Sequence, residues 1–192
     1  METAVTKTYG QNRIHPRKFA LLLACASMVM MFAGLTSAYL VRQAAGNWLE
    51  FRIPAIFGIN TVVMLTSSLV LHAGYLAFKK GREQQYRLLT LMALLLGLAF
   101  LVMQYQGWLA LTAIGVELTT NPSASFVYLI SGIHAAHVLG GVAAILVAVI
   151  HAYSLPYKVT PKRKLRFELT LIYWHFVDLL WVYLFVFLIT QH

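Results

Sequence analysis

Five apolar runs, each long enough to cross a lipid bilayer, leave this chain few folds to choose from. A helical span needs about 20 consecutive, mostly apolar residues. The stretches 19–41, 53–78, 88–112, 125–153 and 168–190 of the 192-residue sequence all qualify. Backbone N–H and C=O groups find no partner in hydrocarbon, so a run of that length must close its hydrogen bonds within itself, as an α-helix does. The expected fold is therefore all-α, an integral membrane five-helix bundle, with residues 1–192 forming a single membrane domain. Only 11% of the residues are charged, against about 25% in a soluble domain, which excludes an ordinary soluble core. Pro54, Pro122, Pro156 and Pro161 fall at or outside the ends of the runs, where a missing N–H matters little. There is no internal repeat and no run broken mid-span by Gly or Pro, which disfavours a small transporter with repeated halves. The apolar run after the basic start is too long for a signal h-region, so no cleavable signal peptide is expected. The single cysteine, Cys25, excludes an intrachain disulfide and any multi-Cys metal motif.

The formal charge of +9 would suggest nucleic acid if it were spread over one surface. It is gathered instead into clusters between the runs, and no nucleic-acid partner is expected. Before the first run stand Lys7, Arg13, Arg17 and Lys18; between the second and third stand Lys79, Lys80, Arg82 and Arg87. Between the fourth and fifth stand Lys158, Lys162, Arg163, Lys164 and Arg166. Those thirteen share one side of the membrane, and only Arg42 and Arg52 lie on the other. The excess of Lys and Arg on cytoplasmic loops predicts a cytoplasmic N-terminus and a periplasmic C-terminus, in a multi-pass protein of the bacterial inner membrane. The basic loops also suit anionic lipid head groups, and Arg166 is the best-placed contact.

Candidate functional residues are the polar groups that hydrocarbon makes expensive. The fourth run carries His134 and His137, three apart and on one face; the fifth carries His175 and Asp178 with the same spacing. The two helices run antiparallel. His134 lies about nine residues in from one end and Asp178 about ten from the other, so at 1.5 Å per residue both reach mid-membrane. Depth matching predicts His134 opposite Asp178, and His137 opposite His175. Three chemistries fit such a set: a Zn or non-haem Fe site, a proton relay, or a hydrogen-bonded polar seam that fixes helix packing. A polar stripe on the second run, Asn60, Ser67, Ser68 and His72, reads as a helix–helix contact. The small residues Gly132, Ala135, Ala136, Gly140 and Gly141 would let another helix approach the fourth closely.

The segment Tyr173-Trp174-His175-Phe176-Val177-Asp178, with Phe167-Glu168 before it and Trp181 after it, resembles the terminal-helix signature of the cytochrome c oxidase subunit III family. Ser131-Gly132-Ile133-His134-Ala135-Ala136-His137-Val138, then Gly140-Gly141, resembles that family's T-G-x-H-x-x-H-V-x-x-G segment. Phe32-Ala33-Gly34, Asn60-Thr61 with Ser67-Ser68, and Leu96-Gly97 with Phe100 and Gln104 are similar to its earlier helices, in family order. Five runs correspond to the short bacterial form.

The resemblance implies a non-catalytic subunit of a respiratory haem–copper oxidase, which reduces oxygen and pumps protons. It implies no haem or copper in this chain. Those cofactors belong to the catalytic subunit I and to subunit II, against which the family assembles, and phospholipid is bound. It favours the packing seam of His134, His137, His175 and Asp178 over the metal site. Electron-donor choice is made on other subunits, so an accessory subunit of a quinol oxidase or nitric oxide reductase stands as the near alternative. A stand-alone membrane metalloenzyme is the remote one. Two family carboxylates are missing: Met28 and Gly107 occupy their positions, so neither is carried over.

Overall fold

In a computed structural model, residues 15–191 are described, and all regular elements among them are α-helices. They are α1 (Pro16–Ala44), α2 (Ile56–Lys79), α3 (Glu83–Ala113), α4 (Pro122–Ser154) and α5 (Pro161–Gln191). Each is long and apolar enough to cross a membrane. Of the basic residues named above, Lys7 and Arg13 lie outside the described part.

Four of the five helices begin earlier than the apolar runs, and local chemistry explains where. Pro16 and Pro122 occupy the first helical turn, where proline's fixed φ fits and no N–H is missed. The His15 ring accepts from the N–H of Arg17, and the Asn121 side chain from that of Ser123, closing free N-terminal donors. Helix α5 starts at Pro161 and runs through Lys162, Arg163, Lys164 and Arg166 before reaching apolar sequence. Hydropathy marks the hydrocarbon zone, whereas a helix continues into water wherever its side chains allow. Between α2 and α3, Gly81 takes φ +77°, a left-handed turn that spares it the Cβ clash. The Arg82 N–H then returns to the carbonyl of Ala77, capping α2.

Helix α2 packs on α3 and α5, and α4 packs on α3 and α5, so the four close a ring; α1 leans on the outside of α4 and α5. Burial follows this plan. In the most apolar stretch of α1 only 17% of residues are buried, against 33–44% in the other four. Large side chains such as Met30 (75% exposed) and Val41 (71%) point outward, as lipid-facing residues do when acyl chains are as apolar as leucine.

Two tryptophans of α5 fill the ring. Trp174 and Trp181 are both fully buried. A Cβ built on Gly97 would stand 2.9 Å from the Trp174 indole, and one on Gly141 2.7 Å. Only glycine leaves room there, so α3 and α4 close on the ring of Trp174. Gly107 does the same for Phe57, at 2.9 Å. Phe57 occupies the space that a side chain at position 107 would need.

Candidate functional site

Helices α4 and α5 are neighbours, as expected, but their polar residues do not form one seam. His134 is completely buried. Its ring lies 4.9 Å from Trp181 in a stacked arrangement, with Phe100 and Phe32 edge-on at 6.0 and 6.3 Å. Neither ring nitrogen has a hydrogen-bond partner among the described residues. Trp181 directs its indole N–H to Thr61 Oγ1 on α2 instead, at 3.0 Å. His134 is thus an aromatic packing element. His137 is likewise turned from α5: its Nδ1 meets the carbonyl of Ile133 in its own helix at 2.8 Å.

His175 and Asp178 face α2. Nδ1 of His175 lies 2.5 Å from Ser68 Oγ, and its Nε2 lies 3.2 Å from Nδ1 of His72. Asp178 is 5% exposed; its carboxyl stands beside the Ser68 hydroxyl, with Oδ1 unpartnered. The expected pairings of His134 with Asp178 and of His137 with His175 are therefore replaced by contacts to α2. The physical reason is azimuth. Successive residues on a helix turn by about 100°, and Trp174 and Trp181 already occupy the α4-facing side of α5. That leaves His175 and Asp178 displaced toward α2.

The α2 stripe was the missing half. Asn60 donates to Gln104 at 3.1 Å and Ser67 to the carbonyl of Ala93 at 3.1 Å, both on α3. Ser68 and His72 complete the contact to α5. Between α4 and its neighbours, Trp108 donates to Ser131 at 2.9 Å, Tyr128 to the carbonyl of Trp108 at 3.1 Å, and Tyr173 to the carbonyl of His137 at 3.0 Å. The described residues hold no group of three or more His, Cys, Asp or Glu placed to grip a metal ion.

A third cluster sits at the basic end of the bundle. Glu168 bonds Lys18 of α1 at 2.6 Å, Lys164 one turn earlier at 3.9 Å, and the Tyr75 hydroxyl of α2 at 2.5 Å, so three helices share one carboxylate. The Tyr157 hydroxyl donates to the last-turn carbonyl of Phe78 at 2.6 Å. Burial first, and Glu83 second, raise that phenol's pKa, so it stays a neutral donor. Beside them a cavity of about 490 Å³ is walled by Ala144, Val147 and Leu169 and edged by His151, Arg163 and Arg166. Arg163 is held by the carbonyl of Pro156 at 2.7 Å. The exposed guanidinium of Arg166 has no partner among the described residues.

The polar groups of the described residues join helix to helix, in a helical membrane protein held together from within by hydrogen bonds and glycine-cleared aromatic rings. The family model described as Cytochrome c oxidase subunit III matches residues 15–191. The chain is 32% identical to cytochrome c oxidase subunit 3 of Thermostichus vulcanus, over 97% of this chain and 92% of the relative. It is 30% identical to the same-named protein of Synechocystis, over 90% and 75%. It is also 29% identical to the probable cytochrome c oxidase subunit 3 of Nocardia farcinica, over 95% and 92%. The chain belongs to the cytochrome c oxidase subunit III family. It is a multi-pass protein of the bacterial inner membrane and part of an oxidase complex.

Proposed function

We propose that this chain is the non-catalytic third subunit of a respiratory haem–copper oxidase that reduces oxygen and pumps protons. It braces the catalytic subunit I, alongside subunit II, and holds phospholipid, while haem and copper stay on those partners. The observation that carries this reading is the use made of the family's motif residues. Gly97, Phe100, Gln104, Gly141, Trp174 and Trp181 all build the ring interior. His175 and Asp178, with Ser68 and His72, form a polar seam between α5 and α2; His134 and His137 belong to the packing around it. Purification in mild detergent from native membranes tests the proposal. The visible spectrum of the complex should be that of haem, and the haem should remain with the partner chains once this chain is stripped away.

Lipid binding is supported at the basic end by the cavity beside Arg166, where apolar walls lead to unpaired positive charge, as an anionic phospholipid requires. The charge distribution supports a cytoplasmic N-terminus and a periplasmic C-terminus. A cysteine placed at Thr160 should react with impermeant reagent only from the cytoplasmic face; labelling from the periplasm would invert the topology.

A further inference from the structure

The seam between α2 and α5 reaches the outer face of the bundle and ends there on a His72 nitrogen with no partner among the described residues. His72 is exposed, although it lies seven residues, about 10 Å, inside the Lys79 end of α2. The three groups Ser68, His175 and His72 stand in file, with Asp178 beside Ser68. Each imidazole carries one proton when neutral, so the file has two polarities. In one, His175 Nδ1–H donates to Ser68 and His72 Nδ1–H donates to His175. The outward Nε2 of His72 is then a bare acceptor. In the other both bonds reverse, and Nε2 becomes an N–H donor. Either way a hydrogen-bonding atom faces hydrocarbon, where an acyl chain answers neither polarity. Two exposed hydroxyls at membrane depth, those of Ser27 and Thr66, close on carbonyls of their own helices instead.

The residues around His72 have the spacing of a helix-docking face. Val62, Leu65, Leu69, His72 and Leu76 follow one another at intervals of three and four, and the four apolar members are 62, 40, 72 and 42% exposed. Such a seam receives a second helix in knobs-into-holes packing, and one polar residue within it fixes register. We propose that this face of α2 receives a transmembrane helix from another subunit of the oxidase, one that offers a hydrogen-bonding side chain to Nε2 of His72. This rests on the reading of the chain as an accessory subunit and names the surface by which it docks.

The test uses the whole oxidase, with a photo-crosslinking benzoylphenylalanine at position 69 and, as controls, at position 30 on α1 or 95 on α3. Position 69 should capture another oxidase subunit in the highest yield. In parallel, His72→Leu should make the chain leave the complex about three- to twenty-fold more readily in detergent, and His72→Gln should recover most of that loss. The crosslink is read with His72 intact, so poor folding of a His72 variant does not blunt the test. Capture from position 30 or 95 while position 69 yields only lipid adducts, or a second copy of this chain, overturns the docking face and leaves the accessory role standing. Unchanged retention in a well-accumulated His72→Leu variant also overturns the proposal. No capture from any position, with a chain that purifies away from haem, overturns the accessory role itself and the docking face with it.

Discussion

His134 and His175 stand on adjoining helices, yet one is walled by aromatic rings with neither nitrogen partnered among the described residues, while the other bonds through both nitrogens. Both belong to motifs of the same family, and both read equally well as seam members from spacing alone. The difference lies in what α5 presents to each neighbour. Toward α3 and α4 it turns Trp174 and Trp181, and Gly97 and Gly141 make room. Toward α2 it turns His175 and Asp178, and Ser68 and His72 answer them. The first side is joined mainly by shape, with one bond from Tyr173 to α4, and the second mainly by hydrogen bonds, to which the Trp181 N–H on Thr61 adds.

Breaking the aromatic side should do the greater damage. Trp181→Ala removes the stack on His134, the contacts to Phe57 and Phe100, and the bond to Thr61. It should destabilise the chain by about 3–5 kcal/mol, in the range of large aromatic truncations, read as the detergent concentration at which it leaves the purified complex. Next, Gly141→Ala forces a methyl against the Trp174 indole, whose rigid ring has no slack. About 1–3 kcal/mol of overpacking should follow, whereas Gly132→Ala, with nothing within 4 Å, should change little. Equal effects at the two glycines would show that α4 and α5 are not fixed by that ring.

The polar side should respond more weakly and more selectively. Asp178→Asn keeps a hydrogen-bonding group beside Ser68 and should assemble normally. Asp178→Leu strands the Ser68–His175 pair and should destabilise by about 1–2 kcal/mol. Neither substitution should abolish oxygen reduction, and loss of the haem spectrum in Asp178→Asn would assign that carboxyl another role. The smallest expected effect is at the buried imidazole. His134→Phe keeps a ring in the aromatic box and removes two unpartnered nitrogens, so stability should hold or rise by up to about 1 kcal/mol.

The helices were legible because hydrocarbon length and the closure of backbone hydrogen bonds are written directly in hydropathy. The ends at Glu83 and Pro161 were not, since charged residues extend a helix beyond the bilayer without an apolar signature. Among the site residues, depth was legible and azimuth was not. Spacing placed His175 and Asp178 on one face of α5, but the choice of neighbour depended on the two tryptophans a fraction of a turn away. A signal existed in the polar stripe of α2, whose Ser68 and His72 lie on one side and whose Asn60 and Ser67 engage α3. Two polar stripes without other partners, on helices that share a bundle, are good candidates for each other. The separate fate of His134 had a signal too, in the run of glycines and large aromatics that share its motif. The reason for Gly107 could come only from coordinates, because Phe57 lies fifty residues earlier in the chain.

A pair of double-mutant cycles in the purified complex tests the division between the two sides of α5 most directly. One cycle combines Ser68→Ala with His175→Phe, and the other combines His134→Phe with Asp178→Leu. The first pair should be coupled by about 0.6–1.7 kcal/mol, as hydrogen-bonded side chains between membrane helices are. The second should be additive within about 0.5 kcal/mol, as independent sites are. Strong coupling between His134 and Asp178, with additivity between Ser68 and His175, would contradict the account and restore a single seam between α4 and α5.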